Sequence, residues 1–190
     1  MKLTEAQYKA LLAARGASTL GVSSAVAHAS SKALSASDKA IESLRQSRLL
    51  TKWEPDTRFV AAFDGARLLS LNELLRLDLR VINRYRKLWH ERAYQALLMS
   101  GSTFIDGAVR LTLFRQGKRL VDNDGLAASF KFAIDGFKEA GLISDDNPMV
   151  VQNIPLMQRQ GNYIAALMFE SSAIKHKPQL IQELIERNRI

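Results

Sequence analysis

The 190-residue chain contains no cysteine. That excludes disulfides and thiolate zinc sites, and makes a reducing cytosol, a cytoplasmic location, the expected setting. No apolar run approaches the length of a bilayer span, and the opening residues MKLTEAQYKA lack the apolar centre of a signal peptide, so no membrane partner is expected. Histidines are few and scattered (His28, His90 and His176), which leaves no histidine metal site to propose. A phosphate loop, a dinucleotide fingerprint and a nucleophilic-serine motif are all missing, so no small-molecule cofactor is expected. Acids are scarce beside bases: 19 Asp and Glu face 27 Lys and Arg, a formal charge of +8. Such a surface attracts polyanions, and nucleic acid is the commonest one in a cytosol.

What is present describes a folded chain, since 47% of residues are hydrophobic and enough for one good core. Thr4 and Gln7 have capping-box spacing and predict a helix to about Arg15. Residues 17–40 are dominated by Ala and Ser and read as a tether. A second helix from about Asp38 would carry Ile41, Leu44 and Leu49, and the domain boundary is expected at Pro55. Beyond it, RFVAAF (58–63), AVRLTLFR (108–115), MVVQNI (149–154) and NYIAALMF (162–169) read as strands, the second alternating Val109, Leu111 and Leu113 against Arg110, Thr112 and Phe114. Residues 70–99 read as a loop entering a long helix with Leu88, Ala93, Ala96 and Leu97 on its apolar side, and 177–189 as a polar terminal helix. The expected class is α+β: a small mixed sheet with packed helices and an N-terminal helical extension. The expected divisions are an extension and tether over 1–55, a central domain over 56–175 and a terminal helix over 176–190.

Six of the 19 acids fall in one stretch, VDNDGLAASFKFAIDGFKEAGLISDDNP (121–148). Taken as a helix starting at Asp124, it puts Leu126, Phe130, Ala133, Ile134 and Phe137 on one face. Asp124, Lys131, Asp135 and Lys138 then fall together on the other. An extended approach would turn Asp122 and Asp124 the same way, and a stop at Gly141 would bring Asp145 and Asp146 nearby. Carboxylates that close need a counterion, and Mg²⁺ suits hard oxygens and lets a phosphodiester complete its shell. Lys131 would stabilise charge building on the reacting phosphate. The same residues also satisfy plainer roles: a cap, an Asp-Asp-Asn-Pro turn, and a solvated i,i+4 pair.

At these residues the chain resembles the RusA-type Holliday-junction resolvases. The shared pattern is Asp122-Asn123-Asp124-Gly125-Leu126, then Lys131 and Asp135, then Ala140-Gly141 and Asp145-Asp146, after a basic strand and before two more strands. LLSLNELLR also resembles the family's upstream stretch, keeping Ser70 and Asn72. The likeness spans roughly 58–172. Gly125 stands where the family has Asn, the step from Asp124 to Lys131 is about one helical turn longer, and both upstream prolines are missing. The resemblance implies that Asp122, Asp124 and Asp146 are metal ligands, with Asp145 a further candidate and Lys131 an electrostatic helper. It implies an endonuclease domain over 56–175 and a Mg²⁺-dependent homodimer, Mn²⁺ being a possible substitute, that resolves four-way DNA junctions by paired nicks in recombination, repair or phage DNA processing. The alternative is a non-catalytic basic DNA-binding protein with a nuclease-like fold.

Arg76, Arg80, Arg84, Arg86 and Lys87 lie close together, four of them at helical spacing. They read either as a solvated face or as a phosphate-tracking surface for branched DNA. Lys118 and Arg119, with Arg110 and Arg115, would extend that path. Tyr85 and Trp89 are an i,i+4 aromatic pair, expected in a core or dimer interface rather than against bases.

Overall fold

Ser35 opens the first helix, α1 (Ala36–Gln46), in the computed structural model, which describes residues 35–188. Its Oγ accepts the Asp38 amide at 3.1 Å and so satisfies one N–H that a helix start leaves without a partner. The expected helix over 4–15, the tether up to residue 34 and His28 lie outside the described residues. All described residues belong to one unit, which begins at Leu34. After α1 come β1 (Arg48–Glu54) and β2 (Arg58–Asp64), an antiparallel hairpin that sets Leu50 opposite Ala62. The boundary expected at Pro55 therefore falls inside a hairpin turn, where a residue without an N–H does no harm to the ladder. Leu49, expected on the helix, lies in β1.

The sheet runs β1-β2-β6-β3, with β3 at Val109–Gly117 and β6 at Ile164–Ser171. The remaining edge of β3 is shared by β4 (Val151–Asn153) and β5 (Leu156–Gln160). Pairs are antiparallel except β3 with β4 and β5. β5 was not anticipated; the expected strand at 149–154 is split from it by Pro155, whose carbonyl accepts from the Leu113 amide at 3.0 Å. A parallel return needs a long crossover. Residues 118–150 supply it and contain α4 (Asn123–Ser129) and α5 (Lys131–Glu139). The whole acidic stretch is thus the one parallel crossover of an otherwise antiparallel sheet.

β3 alternates as its sequence requires. Val109, Leu111 and Leu113 join a core with Phe59, Phe63, Leu167 and Phe169. Phe114 lies on the opposite face with Val60, Ala62, Ala166 and Met168. The first face is covered by α5 and by α3 (Leu79–Ser100), which buries Tyr85, Leu88, Trp89, Ala93, Ala96 and Leu97. The second is covered by α6 (Gln179–Arg187) through Leu180, Ile181, Leu184 and Ile185. The result is three layers of mixed α+β structure. Tyr85 and Trp89 are fully buried, 6.2 Å apart edge to face, so they are core rather than a base platform.

Two contacts fix the crossover on the sheet. Phe137 of α5 packs between Phe59 and Phe169, with ring centroids 5.4 and 5.2 Å away. Truncating it to Ala would cost about 3–5 kcal/mol. Gly136 lets α5 approach α3 closely, since a Cβ there would lie 3.0 Å from the Trp89 carbonyl oxygen. On the other face, at one end of β2 and β6, the Arg58 Nε donates to Glu170 at 2.7 Å. Glu54 reaches the same guanidinium and His176 the same carboxylate. No helix among the described residues is long and apolar enough to cross a membrane.

Candidate functional site

The acidic stretch begins differently from its expected form. β3 ends at Gly117, the approach to the helix is not a strand, and Asp122 rather than Asp124 is the cap. Its Oδ1 accepts the Gly125 amide at 2.6 Å. A Cβ on Gly125 would lie 2.5 Å from that oxygen, so the glycine leaves the room in which the Asp122 carboxylate sits. Asp124 occupies the first helical turn, exposed, with no hydrogen bond or ion pair among the described residues. The residue before the cap is clamped on both sides. Gln158 of β5 accepts the Val121 amide through Oε1 at 2.9 Å and donates Nε2 to the Val121 carbonyl at 2.6 Å. That amide fixes where the helix starts, and nothing in the local sequence pointed to it.

The helix is also not continuous. It breaks at Phe130, so Lys131 opens a second helix instead of continuing the one that carries Asp124. Lys131, Asp135 and Lys138 do lie along one side of α5, and the chain returning toward β4 lays Asp146 against them. The Lys131 Nζ is 2.8 Å from Asp135 and 2.6 Å from Asp146, and the Lys138 Nζ is 2.7 Å from the other Asp146 oxygen. Each Asp146 oxygen therefore already holds a lysine. Hydrogen bonds from Lys131, then from Lys138, hold its carboxyl far below the usual carboxylate range. Burial works against the Lys131 ammonium, but its bonds to Asp135 and Asp146 outweigh that and raise its pKa. Lys138 is raised chiefly by its bond to Asp146. Asp145 shapes the turn, accepting the Asp146 amide at 2.8 Å and the Asn147 side chain at 2.6 Å.

The five carboxylates accordingly form two groups rather than one. Asp122 and Asp124 stand at the start of α4, whereas Asp135, Asp145 and Asp146 gather on Lys131 and Lys138 of α5. Among the described residues no three acidic or histidine side chains are grouped to hold a metal. A closed protein cage is absent, yet Mg²⁺ is commonly held by one or two carboxylates, with water and substrate oxygens filling the remaining positions. Asp122, with Oδ2 uncommitted, and Asp124, with no partner among the described residues, are each free to supply one such oxygen. Asp146, with a lysine on each oxygen, has only the second lone pair of each left for a metal.

The basic residues also divide. Arg76 precedes α3, so the helical stripe begins at Arg80 and continues through Arg84 and Lys87, all exposed. Arg84 is paired with Asp38 at 2.7 Å, and Arg86 lies over the Phe132 ring. Arg92 turns inward onto the Ser47 carbonyl, and burial lowers its pKa. Arg110 is half-buried on the sheet beside Glu170 and takes no part in a surface path. Lys118 and Arg119 are exposed, and with Arg67, Arg115 and Tyr163 they line a cleft of about 380 Å³ that reaches Val121, next to Asp122. Ser70, retained from the upstream stretch, also borders it and forms a capping box with Glu73 at α2 (Leu71–Leu74). Arg67 and Tyr163 escape a sequence reading because they reach the cleft from segments about a hundred residues apart. No protein-family model and no curated protein matches the chain.

Proposed function

We propose that this protein is a Mg²⁺-dependent endodeoxyribonuclease of branched DNA, resembling the RusA-type resolvases, acting as a homodimer in a bacterial or phage-infected cytoplasm. The observation that carries the reading is a helix start bearing Asp124, with both oxygens uncommitted, and Asp122, with Oδ2 uncommitted, directly after Val121 in the wall of a cation-rich cleft. A phosphodiester drawn by the cations would meet hard oxygen ligands next to it. When bound there, the metal supplies charge to the phosphoryl oxygens and acidifies a coordinated water. Asp122 and Asp124 would hold it, Gln158 positions the segment that carries them, and Lys131, the electrostatic helper by resemblance, would reach the substrate backbone by exchanging Asp135 and Asp146 for phosphate oxygens. Asp146, a ligand by resemblance, serves in this reading to hold Lys131. The exposed cations Arg76, Arg80, Lys87, Lys118 and Arg119 track phosphates without reading bases, which suits selection of a branched shape. A two-fold dimer would match a two-fold junction.

The lysine-bound state of Asp146 favours a second reading, a DNA-binding protein in which the acids only cap and pair. Cleavage of a labelled four-way junction, with Mg²⁺ or EDTA, separates the two. Metal-dependent symmetric nicks that vanish in Asp124→Asn, with binding retained, support the nuclease. Binding without cutting at any Mg²⁺ or Mn²⁺ concentration supports the second reading.

A further inference from the structure

The cleft beside Val121 has a charge balance that its own walls do not close. Arg67 is accounted for, because Glu73 pairs with it and the Ala36 carbonyl accepts its other terminal nitrogen at 2.7 Å. Arg115, Lys118 and Arg119 have no carboxylate partner among the described residues. Arg115 donates one terminal nitrogen to the Arg119 carbonyl at 2.7 Å, leaving the rest of its fork unused. Its guanidinium lies over Gly117, where a Cβ would come within 3.0 Å of it. Burial lowers its pKa and the nearby Arg67 adds to that, while Tyr163 and the Glu73 carboxylate, already paired with Arg67, act in the opposite sense. A partly desolvated guanidinium beside another guanidinium is a site that lacks an anion.

The size and the wall narrow the class of anion. A volume of about 380 Å³ suits one nucleotide and is far too small for a duplex. Tyr163 brings an aromatic ring into a groove of cations, and that pairing is how single strands are held without sequence preference: charge for the backbone, a ring for the base. We propose that this cleft seats one unpaired nucleotide of a DNA strand, its phosphate on Arg115, Lys118 and Arg119 and its base against Tyr163. The inference rests on the nucleic-acid reading of the protein and deepens it, because a strand held there leads directly to Asp122. A branch point offers unpaired nucleotides and a plain duplex does not, so the cleft would supply part of the preference for branched substrates.

The test is binding by the full chain in EDTA, followed by fluorescence anisotropy on a short oligo-dT strand and on a blunt duplex, for wild type, Lys118→Gln/Arg119→Gln and Tyr163→Leu. The double variant is expected to weaken strand binding at least about tenfold and to reduce the salt slope by about 1.4, two phosphate contacts at about 0.7 each. Tyr163→Leu is expected to weaken strand binding about 5- to 100-fold, leaving the salt slope and duplex binding as they were. Unchanged strand binding in both variants overturns the inference, and so does an equal loss on strand and duplex. Displacement of the strand by dTMP or inorganic phosphate at the same molar potency also overturns it, assigning the cleft to a free anion. Failure of the nuclease reading looks different: strand binding through the cleft with no metal-dependent cutting leaves this inference standing. Junction cutting by a chain whose variants bind strands normally does the reverse.

Discussion

Glu170 and Asp124 are both carboxylates on a basic protein, and they differ in everything that surrounds them. Glu170 is fully buried; Arg58 pairs with it at 2.7 Å, the Lys177 amide donates to it at 3.2 Å, and His176 reaches its other oxygen. Asp124 is exposed and binds nothing among the described residues. Asp146 stands between them, partly exposed with both oxygens on lysines. The grading teaches that the role of an acid is read from what its oxygens already hold. A carboxylate already held by cations stabilises the fold, and one left without a partner near a cation-lined cleft is available for chemistry.

The sharpest way to break the comparison is Asp124→Asn. Cutting of a four-way junction should fall at least about a thousandfold, about 4 kcal/mol in barrier. Urea denaturation should meanwhile show a stability change within about 0.5 kcal/mol, as for other surface positions. The reverse profile is expected for Glu170→Gln, which leaves Arg58 buried with a weakened partner. Stability should drop by about 3–5 kcal/mol, toward the lower end because Glu54 also reaches Arg58, with cutting per folded molecule unchanged. Gross loss of cutting in the folded Glu170→Gln protein would erase the distinction.

Asp146→Asn should fall between them, at about 1 kcal/mol of stability, because its lysines are partly solvated and screened. Its pH dependence has a definite sign. The folded-state pKa is depressed, so the contribution is full above about pH 5 and is lost as pH falls below about 4. Thermal melts of wild type and Asp146→Asn should therefore converge in acid and diverge near neutrality. The smallest effect is expected for Lys138→Gln, which leaves the Lys131–Asp146 pair in place. A larger melting shift than in Asp146→Asn would show that Lys138, not the pair, carries the cluster.

Local chemistry made much of this legible in the sequence. The alternation of β3, the apolar side of α3 and the core location of Tyr85 and Trp89 all follow from residue periodicity. The hairpin at Pro55 was hidden because RLLTKWE lacks strict alternation and follows a helix directly. β5 was hidden because LMQRQ is mostly polar; its strand character comes from pairing with Leu113–Gly117. The break at Phe130 was masked by an apolar stripe that runs unbroken from Leu126 to Phe137. The pattern of acids singled out the right stretch of chain, but their division into a free pair and a lysine-bound group depends on the return path of residues 141–150. The same holds for Gln158, whose contact with Val121 is set by β5 lying beside β3.

The central claim is that Asp122 and Asp124, not Asp146, provide the metal's protein ligands. Mn²⁺ binding followed by electron paramagnetic resonance, on wild type, Asp124→Asn and Asp146→Asn without DNA, tests it most directly. The account predicts that binding is lost in Asp124→Asn and kept in Asp146→Asn. Binding that survives Asp124→Asn and disappears in Asp146→Asn would contradict it.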